Sequence, residues 1–497
     1  MADRTADILV SKLPKPLWKS AIDAAEAIRT ASRVLVATHI DADGISAAAV
    51  AAVALKRAGQ DPGVKFHKKL DENAISELRS AGADLVWFTD LGSGSISKLG
   101  GIRAVVTDHH VPDKPLANER KPGQALISDF QQVLQVNPVL HGIQGATELS
   151  GAGSTFLAAL ALDRENIDLA YLAVLGAVGD LQDQKSRGLE GINRDVLNAA
   201  IASGAVHAVQ DIRYFGRETR PIHKMLEFSS DPVIPGITGN EQAAVSFLVG
   251  LGLDLKEGES WKTWAALQDK EKESVIEAIR DVLRGARRRP ETIARLTGEV
   301  YIFPKEHAGS PLRDAKEFAT LLNACGRHGR AEIGLAICRG DRKDILAQGI
   351  TLLRDHRSAL SQALALAKGK GIVRLRNIQY FDAGDEIEDT IVGTVAGMLL
   401  NSEGSDRSAP MVAFADSTEY SEVPSVKASA RGTQDLVALG MDLSYAMRHA
   451  AESVGGVGGG HNIAAGATVP TDRKMDFLKI LDDTVGSQIT GIARRAG

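Results

Sequence analysis

The first third of the chain alternates short apolar runs with polar stops. Residues 33–38 (RVLVAT) read as a buried strand that runs into His39 and two acids, and residues 45–56 are Ala-rich and helical. Residues 64–67 form a short strand candidate and 72–81 a helix. Residues 84–89 (DLVWFT) are a further strand, ending at Asp90-Leu91-Gly92, and residues 102–107 another, ending at Asp108-His109-His110 before Pro112 breaks the chain. An amphipathic helix over 16–30 precedes them all. Strands alternating with helices predict an α/β fold with a parallel, doubly wound sheet. Glycine-rich GAGS (151–154) opens an apolar helix, and a second apolar stretch, 169–178, ends at Gly179-Asp180. Both read as helices packed on that sheet.

The pattern changes twice further on. DPVIPGITG (231–239) reads as a linker, and residues 241–297 as a charged, helical, strandless module. From Val300 strands and helices mix again. Strands are expected over 300–303, 332–338, 372–379 and 411–415, and helices over 315–324, 342–368, 389–400, 442–452 and 474–492. The expected organisation is a first α/β domain over 1–230, a helical insertion over 231–297 and a second, smaller α/β domain over 298–497.

Composition narrows the classes. A length of 497 residues implies two to four domains. Hydrophobic content of 44% and charged content of 24% are those of a soluble globular protein. A formal charge of −5 argues against coating nucleic acid by bulk charge. It leaves room for a local basic channel and for a cluster of metal-binding carboxylates. Cys325 and Cys338 make neither a disulfide framework nor a four-thiolate zinc site, and both read as buried small hydrophobes. A reducing, cytoplasmic setting is expected. No signal peptide is visible at the N-terminus, and no apolar run reaches the length of a membrane span.

The polar stops carry the chemistry. They supply His39, Asp41 and Asp43, then Asp90, then Asp108, His109 and His110, and finally Asp180. Five acids and three imidazoles would converge on one sheet edge. Clustered ionised carboxylates repel strongly at low dielectric. Two divalent cations resolve this, since each takes several hard oxygens plus imidazole nitrogen. A bridging carboxylate holds such ions about 3.5–4 Å apart, as in phosphoryl-transfer sites. Each motif alone also has a plain explanation. Asp41 or Asp43 can cap the following helix, and Asp108 can cap a turn. Four such motifs, each after an apolar segment, favour the metal.

Elsewhere, Gly458-Gly459-Gly460-His461 let a phosphate approach backbone N–H groups, with His461 as a further donor. Arg284, Arg287, Arg288 and Arg289 can line a strand channel or form a solvated helix face. Ser154 reads as a helix cap.

THIDADG, FTDLGSG, VTDHH and AVGDLQD resemble, in order, the four motifs of the DHH phosphoesterase superfamily. Within it the chain resembles the archaeal RecJ-like exonucleases of the GINS-associated nuclease type. GGVGGGHNIAAGA resembles the signature of the DHH-associated domain that closes over substrate. The resemblance covers nearly the whole chain, least specifically in the helical module. It implies that His39, Asp41 and Asp90 hold one metal, and that Asp43, Asp90, His109 and Asp180 hold the other, Asp90 bridging. Asp108 would orient a histidine or touch a metal, and His110 would face the scissile phosphate. Asn323 and Arg327 (in NACGR), Arg431 (in SAR) and the GGGH run would contact substrate. The implied cations are two Mn2+, with Mg2+ as an alternative. The implied activity is metal-dependent exonuclease cleavage of single-stranded DNA or RNA, in DNA replication and repair. The implied partners are GINS and the replicative helicase. The rival expectations are a small-substrate phosphoesterase for nanoRNA or cyclic dinucleotides, and a GINS-binding replisome scaffold.

Overall fold

The computed structural model describes residues 2–113, 133–402, 405–417 and 424–493. The chain forms two compact units. The first comprises Met1–Met225, Leu251–Arg280 and Arg288–Leu353; the second comprises Leu226–Gly250, Asp281–Arg287 and Arg354–Gly497.

In the first unit, α1 (Ala2–Lys12) and α2 (Lys15–Thr30) lead into β1 (Val34–His39) and α3 (Ala42–Arg57). Then come β2 (Gly63–His67), α4 (Glu72–Ser80), β3 (Leu85–Thr89), β4 (Ala104–Thr107) and β5 (Val133–Val136). Helices α5 (Gly151–Leu162), α6 (Ala170–Gly179) and α7 (Gly191–Ala202) complete the set around the sheet. The five strands are parallel in the order β2-β1-β3-β4-β5. Their side chains alternate between two cores. Val34, Val36, Trp87 and Val105 pack with the residues of α3, α5 and α6. Leu35, Ala37, Val86, Phe88 and Val106 pack with Ala74, Ile75 and Leu78 of α4. Burial on both faces is why these strands read as continuous apolar runs. Helices α5 and α6 are apolar all round and buried, as such helices must be.

The register places the site. Thr38 lies opposite Thr89, and Thr89 opposite Thr107. Three strands therefore end level, and the next residue of each, His39, Asp90 and Asp108, starts from one line at the carboxyl edge. Hydroxyls pin this edge: Thr38 Oγ1 donates to the Gly44 and Thr89 carbonyls at 2.7 and 3.1 Å. Trp87 Nε1 donates to Thr107 Oγ1 at 3.0 Å.

The second unit holds a six-stranded mixed sheet. Its order is Val373–Arg374, Gln379–Asp382, Met411–Asp416, Ser425–Arg431, Ala464–Pro470, Val457–Gly460. Helices Asp389–Leu400, Leu443–Glu452 and Lys474–Ala493 supply its cover. No helix among the described residues is long and apolar enough to cross a membrane.

Three expectations are corrected. Residues 332–338 are helical (Ala331–Cys338), because a short apolar run fits a buried helix as well as a strand. Residues 372–379 split into Val373–Arg374 and the start of Gln379–Asp382. Residues 241–297 are not strandless: Lys256–Glu257 and Ser260–Trp261 form a small antiparallel hairpin around Gly258, whose φ of 62° suits glycine. The strand expected over 300–303 is Thr297–Ile302, which pairs with β6 (His207–Ile212), a partner the sequence did not reveal.

Candidate metal centre

At the end of β1 the chain turns into α3, and Asp41 is the N-cap of that helix, accepting from Gly44 N at 2.9 Å. Its other oxygen lies 2.9 Å from His39 Nδ1. Asp41 thus caps the helix with one oxygen and keeps the other beside His39. Asp43 sits in the first turn of α3, 2% exposed, and accepts from Gly151 N and Ala152 N at the start of α5, at 2.8 and 3.0 Å. Asp90 ends β3 in the left-handed region, φ 54°, a conformation Asp tolerates better than most residues. Its N–H donates to the Thr107 carbonyl at 2.9 Å. Asp180 caps the end of α6.

These groups converge. His39 Nδ1 is 3.8 Å from Asp90 Oδ2, and His109 Nε2 is 3.4 Å from Asp90 Oδ1. His109 Nε2 is also 3.9 Å from Asp43 Oδ2 and 3.7 Å from Asp180 Oδ2. His39, Asp41 and Asp90 form one set of donors whose ligand atoms lie within 4.8 Å of one another; Asp43, His109 and Asp180 form a second, and Asp90, Asp108, His109 and His110 a third. Asp90 faces the first two sets, Oδ2 toward His39 and Oδ1 toward His109.

Electrostatics tests the fit to cations. Burial drives the Asp43 carboxyl up to about 6, with Asp180 and Asp41 adding to the rise and His109 offsetting part of it. Burial, then Asp43 and Asp41, raises Asp90 well above the ordinary carboxylate range. Asp180 is raised by burial as well. Asp90 Oδ1 is buried with no hydrogen-bond partner, which is costly for an acceptor unless another species takes its lone pair. For His109, burial opposes the charged form, but the surrounding carboxylates outweigh it and hold the ring at about 9. Its Nδ1 bonds the Gly145 carbonyl at 2.7 Å, so Nδ1 carries hydrogen and Nε2 is the atom offered to the carboxylates. Crowded oxygens, an imidazole nitrogen and an orphaned acceptor suit divalent cations.

Asp108 plays a different part. Ser93 N donates to its Oδ2 at 2.9 Å, and His109 N and His110 N to its Oδ1 at 2.7 and 3.3 Å. His110 Nδ1 lies 2.8 Å from Oδ1, while the ring is 49% exposed. Burial opposes His110 protonation, but Asp108 dominates and lifts it to about 9. The two adjacent imidazoles therefore face different surroundings.

Glycines seat the acids. A Cβ on Gly151 would lie 2.5 Å from Asp90 Cβ, and one on Gly176 within 3.0 Å of Asp43 Oδ1. Sequence reasoning missed these seats, and missed Asn137, whose amide donates to Ser93 Oγ and the His110 carbonyl, each at 2.8 Å. It also passed over Gln182, which lies inside the AVGDLQD motif. Ser154 is not the α5 cap: Ser150 accepts from Gly153 N at 3.1 Å, and Ser154 Oγ donates to the Asp108 carbonyl.

Of the expected substrate residues, two lie in the first unit. Asn323 Oδ1 accepts from Ala42 N at 2.9 Å. A Cβ on Gly326 would strike the Ile40 carbonyl, so the helix Ala315–Arg327 lies against the HIDADG turn. Burial lowers the Arg327 guanidinium below its ordinary value, and Asp41 pulls it back up. The others lie in the second unit. Arg431 ends the strand Ser425–Arg431, its side chain close over Gly393. Gly458, Gly459 and Gly460 form the edge strand Val457–Gly460, with His461 exposed at its end. A Cβ on Gly459 would meet open space, whereas one on Gly458 would meet the Met447 carbonyl at 2.7 Å. Arg284, Arg287, Arg288 and Arg289 are exposed, and Arg284 pairs with Asp281 at 2.8 Å.

Comparison with known proteins bears on the fold. Residues 214–295 match the DHH-CID domain and residues 373–487 the DHHA1 domain. The chain is 29% identical over 464 residues to the uncharacterized protein MJ0831 of Methanocaldococcus jannaschii, covering 92% of this chain and 94% of that protein. Among solved structures it is similar to RecJ in complex with Mn2+ from Thermus thermophilus, with TM-score 0.57, 18% identity and 96% of this chain covered. The chain spans 55% of that RecJ. It is also similar to CDC45 from Entamoeba histolytica, with TM-score 0.59, 10% identity and coverage of 95% of this chain and 98% of that one. The chain has the RecJ-like fold of the DHH superfamily.

Proposed function

We propose that this protein is a divalent-cation-dependent exonuclease that hydrolyses phosphodiester bonds in single-stranded DNA or RNA, in replication and repair. The observation that carries the reading is the position of Asp90, one oxygen toward His39 and the other toward His109, so that it faces two adjacent donor sets. His39, Asp41 and Asp90 would hold one cation, and Asp43, Asp90, His109 and Asp180 the other. Mixed carboxylate and imidazole donors suit Mn2+, and Mg2+ less well. When bound, the pair supplies an activated water and neutralises charge on the phosphoryl oxygens.

The chain's own groups do the rest. Asp108 keeps His110 protonated and aimed, so that Nε2–H donates to a phosphoryl oxygen or to the leaving group. Asn323 and Arg327, beside the HIDADG turn, are assigned to the substrate strand near the cut. Arg431 and residues 458–461 are assigned to its phosphates, with Gly459 the open glycine.

Digestion of end-labelled single-stranded DNA and RNA with Mn2+, comparing wild type with Asp90→Ala, tests this reading. Loss of activity in the variant supports it, and equal activity refutes it. Cleavage confined to short oligomers or cyclic dinucleotides would replace it with a small-substrate phosphoesterase. Capture of GINS by an inactive wild type would replace it with a scaffold.

A further inference from the structure

Gln182 is 1% exposed and stands two residues beyond Asp180. Its carboxamide nitrogen donates to Asp180 Oδ2 at 2.8 Å and to the Gly145 carbonyl at 2.8 Å. The same carbonyl accepts from His109 Nδ1 at 2.7 Å. A primary amide has two N–H donors, and both are spent here. One fixes the Asp180 carboxylate. The other fixes the carbonyl that sets the His109 tautomer. The carboxamide oxygen is fixed in turn by Asn193 Nδ2, at 2.6 Å, from the buried face of α7. The next residue, Asp183, is clamped by the buried Arg213, which donates to its carboxylate at 2.7 Å and its carbonyl at 2.9 Å. None of these bonds reaches His39 or Asp41.

We infer that Gln182 is a positioning residue for one cation of the pair. It holds Asp180 directly and His109 through Gly145, and so sets the affinity of the Asp43–His109–Asp180 position while leaving the His39–Asp41 side alone. The inference rests on the two-cation reading above. Residues that orient metal ligands through hydrogen bonds change affinity by about 10–100-fold when removed. Gln182→Met keeps the side chain's length and removes both donors. Asn193→Asp keeps the shape at position 193 but swaps a donor for an acceptor. The Gln182 amide must then turn over, aiming its oxygen at two acceptors.

Mn2+ titration of the full chain, followed by calorimetry and by electron paramagnetic resonance, tests it. Wild type takes up two ions with the spin-coupled signal of a close pair. Each variant keeps one site at wild-type affinity, weakens the other by about 10–100-fold, and shows isolated-ion signal where wild type is already paired. Unchanged binding, or equal weakening of both sites, overturns the inference and leaves the nuclease reading standing. A wild type that binds two ions but digests no single strand sinks the nuclease reading alone. A wild type that binds no Mn2+ sinks both.

Discussion

Gly151→Ala sets two effects of opposite sign against each other. Gly151 opens α5, and alanine in place of glycine favours a helix by about 0.8–1 kcal/mol in its interior, less at the first position. On propensity alone the variant is slightly stabilised. The structure predicts otherwise. The new Cβ would sit 2.5 Å from Asp90 Cβ and 2.7 Å from Asp90 Cα, atoms fixed at a buried strand end. Overpacking of this kind costs about 1–3 kcal/mol, so the net effect is a loss of up to about 3 kcal/mol. The functional loss is larger. Relief of the contact moves Asp90, whose oxygens face both His39 and His109, or moves Gly151 N away from Asp43. A misplacement near 1 Å costs on the order of 100-fold in rate. Gly369→Ala is the control, since its Cβ meets nothing within 4 Å on the helix Asp344–Lys370. Melting curves and Mn2+-dependent digestion of labelled single strands read both variants. A Gly151→Ala protein that melts above wild type and cleaves at its rate would refute the reasoning.

The remaining predictions concern charge. Asp90→Asn removes a carboxylate whose ionisation the fold opposes, so the metal-free variant melts higher than wild type while Mn2+ no longer raises its melting point; a lower metal-free melting point contradicts this. The Asp43 carboxyl rises in the fold from 3.8 to about 6, so its contribution favours folding below the unfolded value and is lost as pH climbs through about 6, a change on the order of 3 kcal/mol. Mn2+ relieves that penalty, so the metal-induced rise in melting temperature is larger at about pH 7.5 than at about pH 5, and equal shifts would count against the site. His110→Gln lowers turnover about 100- to 1,000-fold with Mn2+ binding unchanged; loss of metal binding instead would make His110 a ligand.

Much of the site was legible because strands buried on both faces announce themselves. The five residues before His39, the five before Asp90 and the four before Asp108 carry no charged side chain, so each of these three residues reads as standing at a strand end. That the three ends lie level was not legible, since register between strands leaves no mark in either one. Strand β5 escaped notice because VLQV is short, only partly buried and interrupted by Gln135. Ala331–Cys338 was misread because eight apolar-rich residues fit either periodicity. Gly151 of GAGS was visible, but its purpose lies in Asp90, some sixty positions earlier in the chain. Gln182 stood inside a recognised motif and carried no signal of its own, because its partners Gly145 and Asn193 are made neighbours only by folding.

The most direct measurement is anomalous diffraction at the manganese edge from crystals grown with Mn2+. The account predicts two peaks about 3.5–4 Å apart, both within coordination distance of Asp90, one beside His39 and Asp41 and the other beside Asp43, His109 and Asp180. No peak there, or a single ion that Asp90 does not touch, would contradict it.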